Sequence, residues 1–133
     1  MKPILHAESS ARKYGGKAED YLPIHDFMDS TKSAVADNRH RVITHNAWFI
    51  GPDGPLERVF GKTITNSDGR AISVRTIGEQ HCLEDFHGFI PTLQDWTMAM
   101  GSEPWMSGMA KPPSSTGLRM NKQPELVVEE LVD

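Results

Sequence analysis

Only one cysteine, Cys82, occurs in the 133 residues of the chain. An intramolecular disulfide framework is excluded, as is a Cys-based zinc ribbon, since each needs several thiols. Long apolar runs are missing as well. No window approaches the roughly 20 apolar residues of a membrane-spanning helix, and the opening MKPILHAESSARKYGG lacks the apolar stretch of a signal peptide. A cytoplasmic location is the expectation. Positive charge is scarce: 14 Lys and Arg face 18 Asp and Glu, a formal net charge of −4. This balance argues against non-specific nucleic-acid binding, which draws on concentrated Lys and Arg. Nucleophilic apparatus is also lacking. Ser9, Ser10 and Ser33 have no elbow motif around them, and Cys82 lies among Leu83 and Phe86 as an inert buried thiol. Gly15-Gly16 and Gly51 to Gly54 lack the Gly-x4-Gly-Lys-Ser/Thr arrangement of a phosphate loop and read as turns.

What is present fits one domain over residues 1–106 followed by a flexible acidic tail over 107–133. Residues 4–13 favour a short helix that Gly15-Gly16 stops. From Glu19 to Ala36, the apolar stripe Tyr21, Ile24, Met28 and Val35 predicts a second helix with Pro23 in its first turn. Asp37 is placed to cap a helix over about 38–50, which Gly51-Pro-Asp-Gly-Pro55 must end. After a short helical piece at Leu56 to Phe60, β-branched residues flank Asn66-Ser-Asp-Gly69, predicting a β-hairpin at about 62–76. Thr76-Ile-Gly-Glu79 resembles a capping box opening a helix through Phe86. Pro91, Thr92 and Asp95 start one more, carrying Leu93, Trp96, Met98 and Met100. The fold class is therefore α+β, mainly α-helical with a hairpin insertion. The tryptophans and methionines are expected chiefly to fill the core.

Six histidines, at 6, 25, 40, 45, 81 and 87, are the least ordinary feature of this composition. His25 and Asp29 are four residues apart, as are His81 and Asp85, while Glu84 lies three beyond His81, so each set projects to one side of a helix. Imidazole with carboxylate is suitable coordination for zinc, manganese or iron. His25, His40, His45, His81 and Asp85 are the candidate ligands, with His25 and His81 preferred. Helical geometry sets limits. His40 and His45 are about 140° apart on a regular helix, so they are poorly placed to chelate one ion. The face of His81, Glu84 and Asp85 lies nearly opposite Cys82, Leu83 and Phe86, and a solvated polar face is the competing reading.

Arg39 and Arg41 stand at a helix start, and Arg75 lies on the hairpin beside Arg70. Arg39, Arg41 and Arg75 are the candidate anion-binding residues, for a helix N-terminus and guanidinium groups both favour phosphate. Ion pairing with nearby Asp20, Asp26, Asp29 and Asp37 is the competing use of these arginines.

A set of short motifs carries a resemblance. His6-Ala-x-Ser-Ser-Ala with Tyr14-Gly-Gly, Glu19-Asp-Tyr-Leu-Pro-Ile-His-Asp, Arg39-His-Arg, Asn66-Ser-Asp-Gly-Arg and Gly78-Glu-Gln-His-Cys-Leu-Glu-Asp are similar to an uncharacterised family of small bacterial and bacteriophage proteins. Ile90-Pro-Thr, Asp95-Trp96 and Pro104-Trp-Met106 extend the similarity, which covers about residues 4–106. His45-Asn46 stands where the family often has a histidine pair, and Gly51 to Pro55 replaces a shorter connection. The resemblance implies phage or bacterial origin and places His25, His40, His45, Glu79, His81, Glu84 and Asp85 within the family's recognisable words. The functional expectation is a small protein that binds or modulates a host component, with a host protein or a small anionic ligand as partner. The alternative is a metal-dependent hydrolase acting on a phosphoester, with the arginines as anion clamps.

Overall fold

A proline costs nothing at the start of a helix, where the amide has no intrahelical acceptor. In the computed structural model α1 spans Pro3–Tyr14 with Pro3 in that position. The structure describes residues 1–113 and Gly117. The chain divides into two compact units, Met1–Met100 and Gly101–Asp133. In the second unit the described residues hold a 3-10 turn, Pro104–Ser107, and the expected tail lies outside the described residues at 114–116 and 118–133. No helix among the described residues is long and apolar enough to cross a membrane.

The first unit is mainly α-helical with one two-stranded antiparallel hairpin. Gly15, at φ +86°, ends α1 with its amide bonded to the Ala11 carbonyl at 2.9 Å. Helix α2, Ala18–Asp29, packs against α1. Pro23, five residues beyond the first helical position, lies in its second turn rather than its first, since one turn takes 3.6 residues. The helix also ends earlier than expected: a 3-10 turn, Ser30–Ser33, follows, and Val35 is exposed.

The expected single helix over 38–50 is broken into a 3-10 turn, Asn38–His40, and two short helices, α3 Arg41–Thr44 and α4 Ala47–Ile50. The physical cause is Asn46. Its Oδ1 accepts the Phe49 amide at 2.8 Å, and its Nδ2 donates to the Val42 carbonyl at 2.8 Å, so one side chain caps α4 and closes α3. Ile43 and Trp48 are exposed.

Helix α5 covers Pro55–Phe60. Strands β1, Thr63–Thr65, and β2, Ala71–Ser73, pair with Ile64 opposite Ile72. The turn between them docks on the α1–α2 corner, where Asn66 Nδ2 donates to the Tyr14 carbonyl at 3.2 Å and to the Tyr21 hydroxyl at 3.1 Å. β2 is shorter than expected because Ser73, rather than Thr76, caps α6: its Oγ accepts the Thr76 amide, and the helix runs Val74–Asp85. Helix α7, Leu93–Met100, opens on the reciprocal bonds expected of Thr92 and Asp95, with the Thr92 amide bonded to Asp95 Oδ2 at 2.9 Å and the Asp95 amide to Thr92 Oγ1 at 3.1 Å.

The apolar core joins Ala7 of α1 and Tyr21, Ile24 and Met28 of α2 to Phe49, Ile50, Leu56, Val74, Ile77 and Cys82. Among the described methionines only Met28 belongs to it, and Trp48 and Trp105 are exposed. Gly78 is where α6 meets α4 and α5. A Cβ there would lie 2.7 Å from Leu56 Cδ2 and 3.1 Å from Ile50 Cβ. Gly78→Ala is expected to lower unfolding stability in urea by about 1 kcal/mol, since overpacking of ~1–3 kcal/mol outweighs ~1 kcal/mol of helix propensity. Unchanged or increased stability would contradict that close approach.

Candidate metal centre

Behind the apolar core lies a polar one. His6 of α1, His25 of α2, His45 at the end of α3 and His81 of α6 are all fully buried. Asp29, the last residue of α2, is 9% exposed, and the Asp85 side chain, closing α6, is 0% exposed. The solvated-face reading of His81 and Asp85 is thereby corrected. It is Leu83, expected inside, that faces outward, because α6 is covered by α1 and α2 on the histidine side as well as by α5 on the Cys82 side.

Four donor atoms converge. His45 Nε2 is 3.0 Å from Asp85 Oδ2 and 3.5 Å from Asp29 Oδ1. His81 Nε2 is 3.2 Å from the same Asp85 oxygen and 3.3 Å from the same Asp29 oxygen. All four residues offer donors within 4.8 Å of one another, a set that could hold a metal ion. His6, His25 and His81 form a second such set.

The helix spacings are real, but the partners differ. Asp29 stands four residues after His25 and turns instead to His45 and His81. His25 occupies the layer behind: its Nε2 is 2.8 Å from Ser10 Oγ and its Nδ1 is 2.9 Å from His81 Nδ1. His40 Nδ1 is 2.9 Å from Thr31 Oγ1, and its ring meets His45 edge-on at 6.2 Å, outside both donor sets. The break before Asn46 brings these two rings into contact despite their spacing.

Asp29 of the donor set was not among the candidate ligands read from the sequence, and neither were His6, Ser9, Ser10 and Gln80 of α1 and α6. His6 places Nδ1 2.8 Å from Glu84 Oε1 and Nε2 3.1 Å from Asp85 Oδ1, and its ring stacks on His81 at 3.8 Å. Ser9 donates to Glu84 Oε2, and Ser10 and Gln80 knit α1 to α6. The available signal was the spacing His6, Ser9, Ser10, which lines one polar face of a helix otherwise unremarkable in charge.

Of the arginines, Arg41 reaches the cluster. Its guanidinium lies 3.8 Å from Asp85 Oδ2 and over the Phe86 ring at 5.5 Å, and its buried Nε has no hydrogen-bond partner among the described residues. Arg39 pairs with Asp37 at 2.7 Å and Arg75 with Glu79 at 3.5 Å, both on the surface. The structure does not bring these three together into one cradle. Trp96 of α7 donates its indole N–H to the His45 carbonyl at 2.9 Å, fixing the backbone of that histidine.

Electrostatics follow from this geometry. Burial opposes ionisation of Asp85, but hydrogen bonds with His45, His6 and His81 outweigh it and hold the carboxyl well below its usual range. Asp29 behaves likewise, through His45 and His81. Burial disfavours charge on His6, yet its bonds to Asp85 and Glu84 raise it above the ordinary histidine value. Burial and the neighbouring His81 and His6 rings push His25 down to about 3, so it is neutral at physiological pH. Cys82 is pushed up to about 12 by burial, consistent with an inert thiol.

The two histidines have opposite consequences for pH. His25 has a folded value below its unfolded one, so its contribution is complete above about pH 6.5 and is lost as the pH falls toward about 3. His6 has a raised folded value, so its contribution is present below about pH 6.5 and is lost as the pH rises through that folded value. The thermal midpoint of EDTA-treated protein should therefore decline on both sides of neutrality, and His6→Gln should remove the alkaline decline. A decline in His6→Gln equal to the parent's would contradict the assignment.

No curated protein and no solved structure matches this sequence. A family model does, over residues 1–106, a stretch that contains every residue of the histidine and carboxylate cluster. The chain belongs to the family described as Domain of unknown function (DUF6915).

Proposed function

We propose that the protein binds a divalent transition metal at His45, His81, Asp29 and Asp85, and that the ion fastens the ends of α2, α3 and α6 together. One observation carries this reading. Metal–ligand bonds of about 2.0–2.1 Å in a tetrahedron place neighbouring donors about 3.3 Å apart. The four nitrogen–oxygen separations are 3.0, 3.5, 3.3 and 3.2 Å. Two imidazoles and two carboxylates suit zinc, iron or manganese, and zinc fits best because four donors complete its preferred tetrahedron while harder cations call for further oxygens.

Burial of all four ligand side chains favours a closed, structural centre over a hydrolytic one, which keeps a position open for water and substrate. On this reading the protein acts by binding, and the metal-built scaffold presents its surface to a partner, either a host component or a small anionic ligand. Arg41, partly exposed beside Asp85, is the feature that favours the phosphoester hydrolase instead.

The test is elemental analysis of the full chain, purified without a histidine tag, alongside His45→Ala and Asp29→Ala. One metal per chain in the parent and loss of it in both variants is expected. Absence of bound metal after incubation with zinc, iron and manganese would overturn the centre. Metal-dependent, EDTA-sensitive turnover of a phosphoester would overturn the structural role and favour the hydrolase.

A further inference from the structure

The metal reading places the ion in one of two donor sets that share His81. Hydrogen-bond accounting decides between them. Gln80 Nε2 donates to the His6 carbonyl at 3.1 Å and to Glu84 Oε1 at 3.1 Å, so Gln80 must turn its oxygen toward Ser10. Ser10 Oγ has two oxygen neighbours, Gln80 Oε1 at 2.7 Å and the His6 carbonyl at 3.1 Å, and both accept only. Its single proton goes to oxygen, and His25 Nε2 must donate to it across 2.8 Å. The two nitrogens of the buried His25 ring face Ser10 and His81 and neither meets a carboxylate, so with Nε2 as its one donor its Nδ1 accepts from His81 Nδ1 at 2.9 Å. The Nε2 of His81 is left to face Asp29 and Asp85.

A second, independent chain gives the same answer for His45. Thr44 Oγ1 lies 2.6 Å from the Met28 carbonyl, which takes its only proton, and so it must accept from His45 Nδ1 at 2.8 Å. His45 Nε2 is again the atom facing the carboxylates. His6, by contrast, has both ring nitrogens committed to Glu84 and Asp85, and His25 Nδ1 is committed to His81.

Resting on the metal reading above, we infer that the ion is held through the Nε2 atoms of both His45 and His81, and that Ser10, His25, Gln80 and Thr44 are positioning residues that select those atoms without touching the metal. His25, the preferred ligand on sequence grounds, thereby becomes the residue that orients a ligand. Such outer partners fix ring orientation and tautomer, and their loss typically costs about 10–100-fold in metal affinity.

The experiment loads the full-length, nitrogen-15-labelled protein with cadmium-113, a spin-active stand-in for zinc, and reads metal–nitrogen couplings by NMR. Coupling to two nitrogens, Nε2 of His45 and Nε2 of His81, is expected. Coupling to Nδ1 of His25 or His81, or to either nitrogen of His6, would overturn the inference while leaving a metal protein in place. Failure to bind cadmium or zinc at all would overturn both readings.

The positioning role has its own measurement. Ser10→Ala and Thr44→Val should keep the parent coupling pattern but weaken zinc binding about 10–100-fold, and Thr44→Ser should restore it. In metal-free Thr44→Val the ring nitrogen shifts of His45 should move toward the opposite tautomer. Parent affinity and parent ring shifts in Thr44→Val would refute the relay.

Discussion

Zinc added to EDTA-stripped protein should raise the thermal midpoint by about 15 °C or more when free metal exceeds the Kd about a thousandfold. The ion binds an arrangement that only the folded chain supplies, and mass action then stabilises the native state by about 4 kcal/mol. For a domain of this size each kcal/mol is worth roughly 4–8 °C. The donors come from three places distant in sequence, Asp29, His45 and the pair His81 and Asp85, so the unfolded chain cannot match them. His45→Ala should lose the midpoint gain. A parent protein that gains no stability from zinc, iron or manganese would contradict the proposed centre.

The second large effect belongs to the metal-free state. Asp85→Ala should destabilise EDTA-treated protein by about 3–5 kcal/mol, the usual cost of removing one partner from a buried ion pair. Asp85 spans the whole cluster: Oδ1 meets His6 Nε2 at 3.1 Å, while Oδ2 meets His45 at 3.0 Å and His81 at 3.2 Å. Removing it leaves His6 half-paired and Arg41 without its nearest carboxylate. Urea unfolding monitored by tryptophan fluorescence would measure the loss. The double-mutant cycle with His6→Gln should show strong coupling, because the two side chains share one hydrogen bond. A loss below about 1 kcal/mol, the range of exposed ion pairs, would show that the cluster contributes little without metal.

Much of this arrangement is legible in the residues alone. Turn chemistry and β-branching locate the hairpin, apolar spacing locates α2, and the Thr92–Asp95 pair marks the start of α7. The i,i+4 step from His81 to Asp85 survives intact, since both point one way from one helix whatever packs against it. Periodicity could not tell which face of α6 is covered. His81, Glu84 and Asp85 read as a solvated stripe because charged side chains are seldom buried unless paired, and their partners are 40 to 79 residues away in α1, α2 and α3. The break at Asn46 was similarly hidden: a side chain that caps one helix while closing another looks, in one dimension, like any polar residue on a helix face. Spacing thus determined which donors lie on which helix. Only tertiary packing decided that Asp29 turns from His25 to His45 and His81, that Ser10 and Thr44 orient the rings, and that the donor set is buried. The reason is that a helix fixes the direction of its own side chains, whereas the dielectric and the partners they meet are set by the helices that cover them.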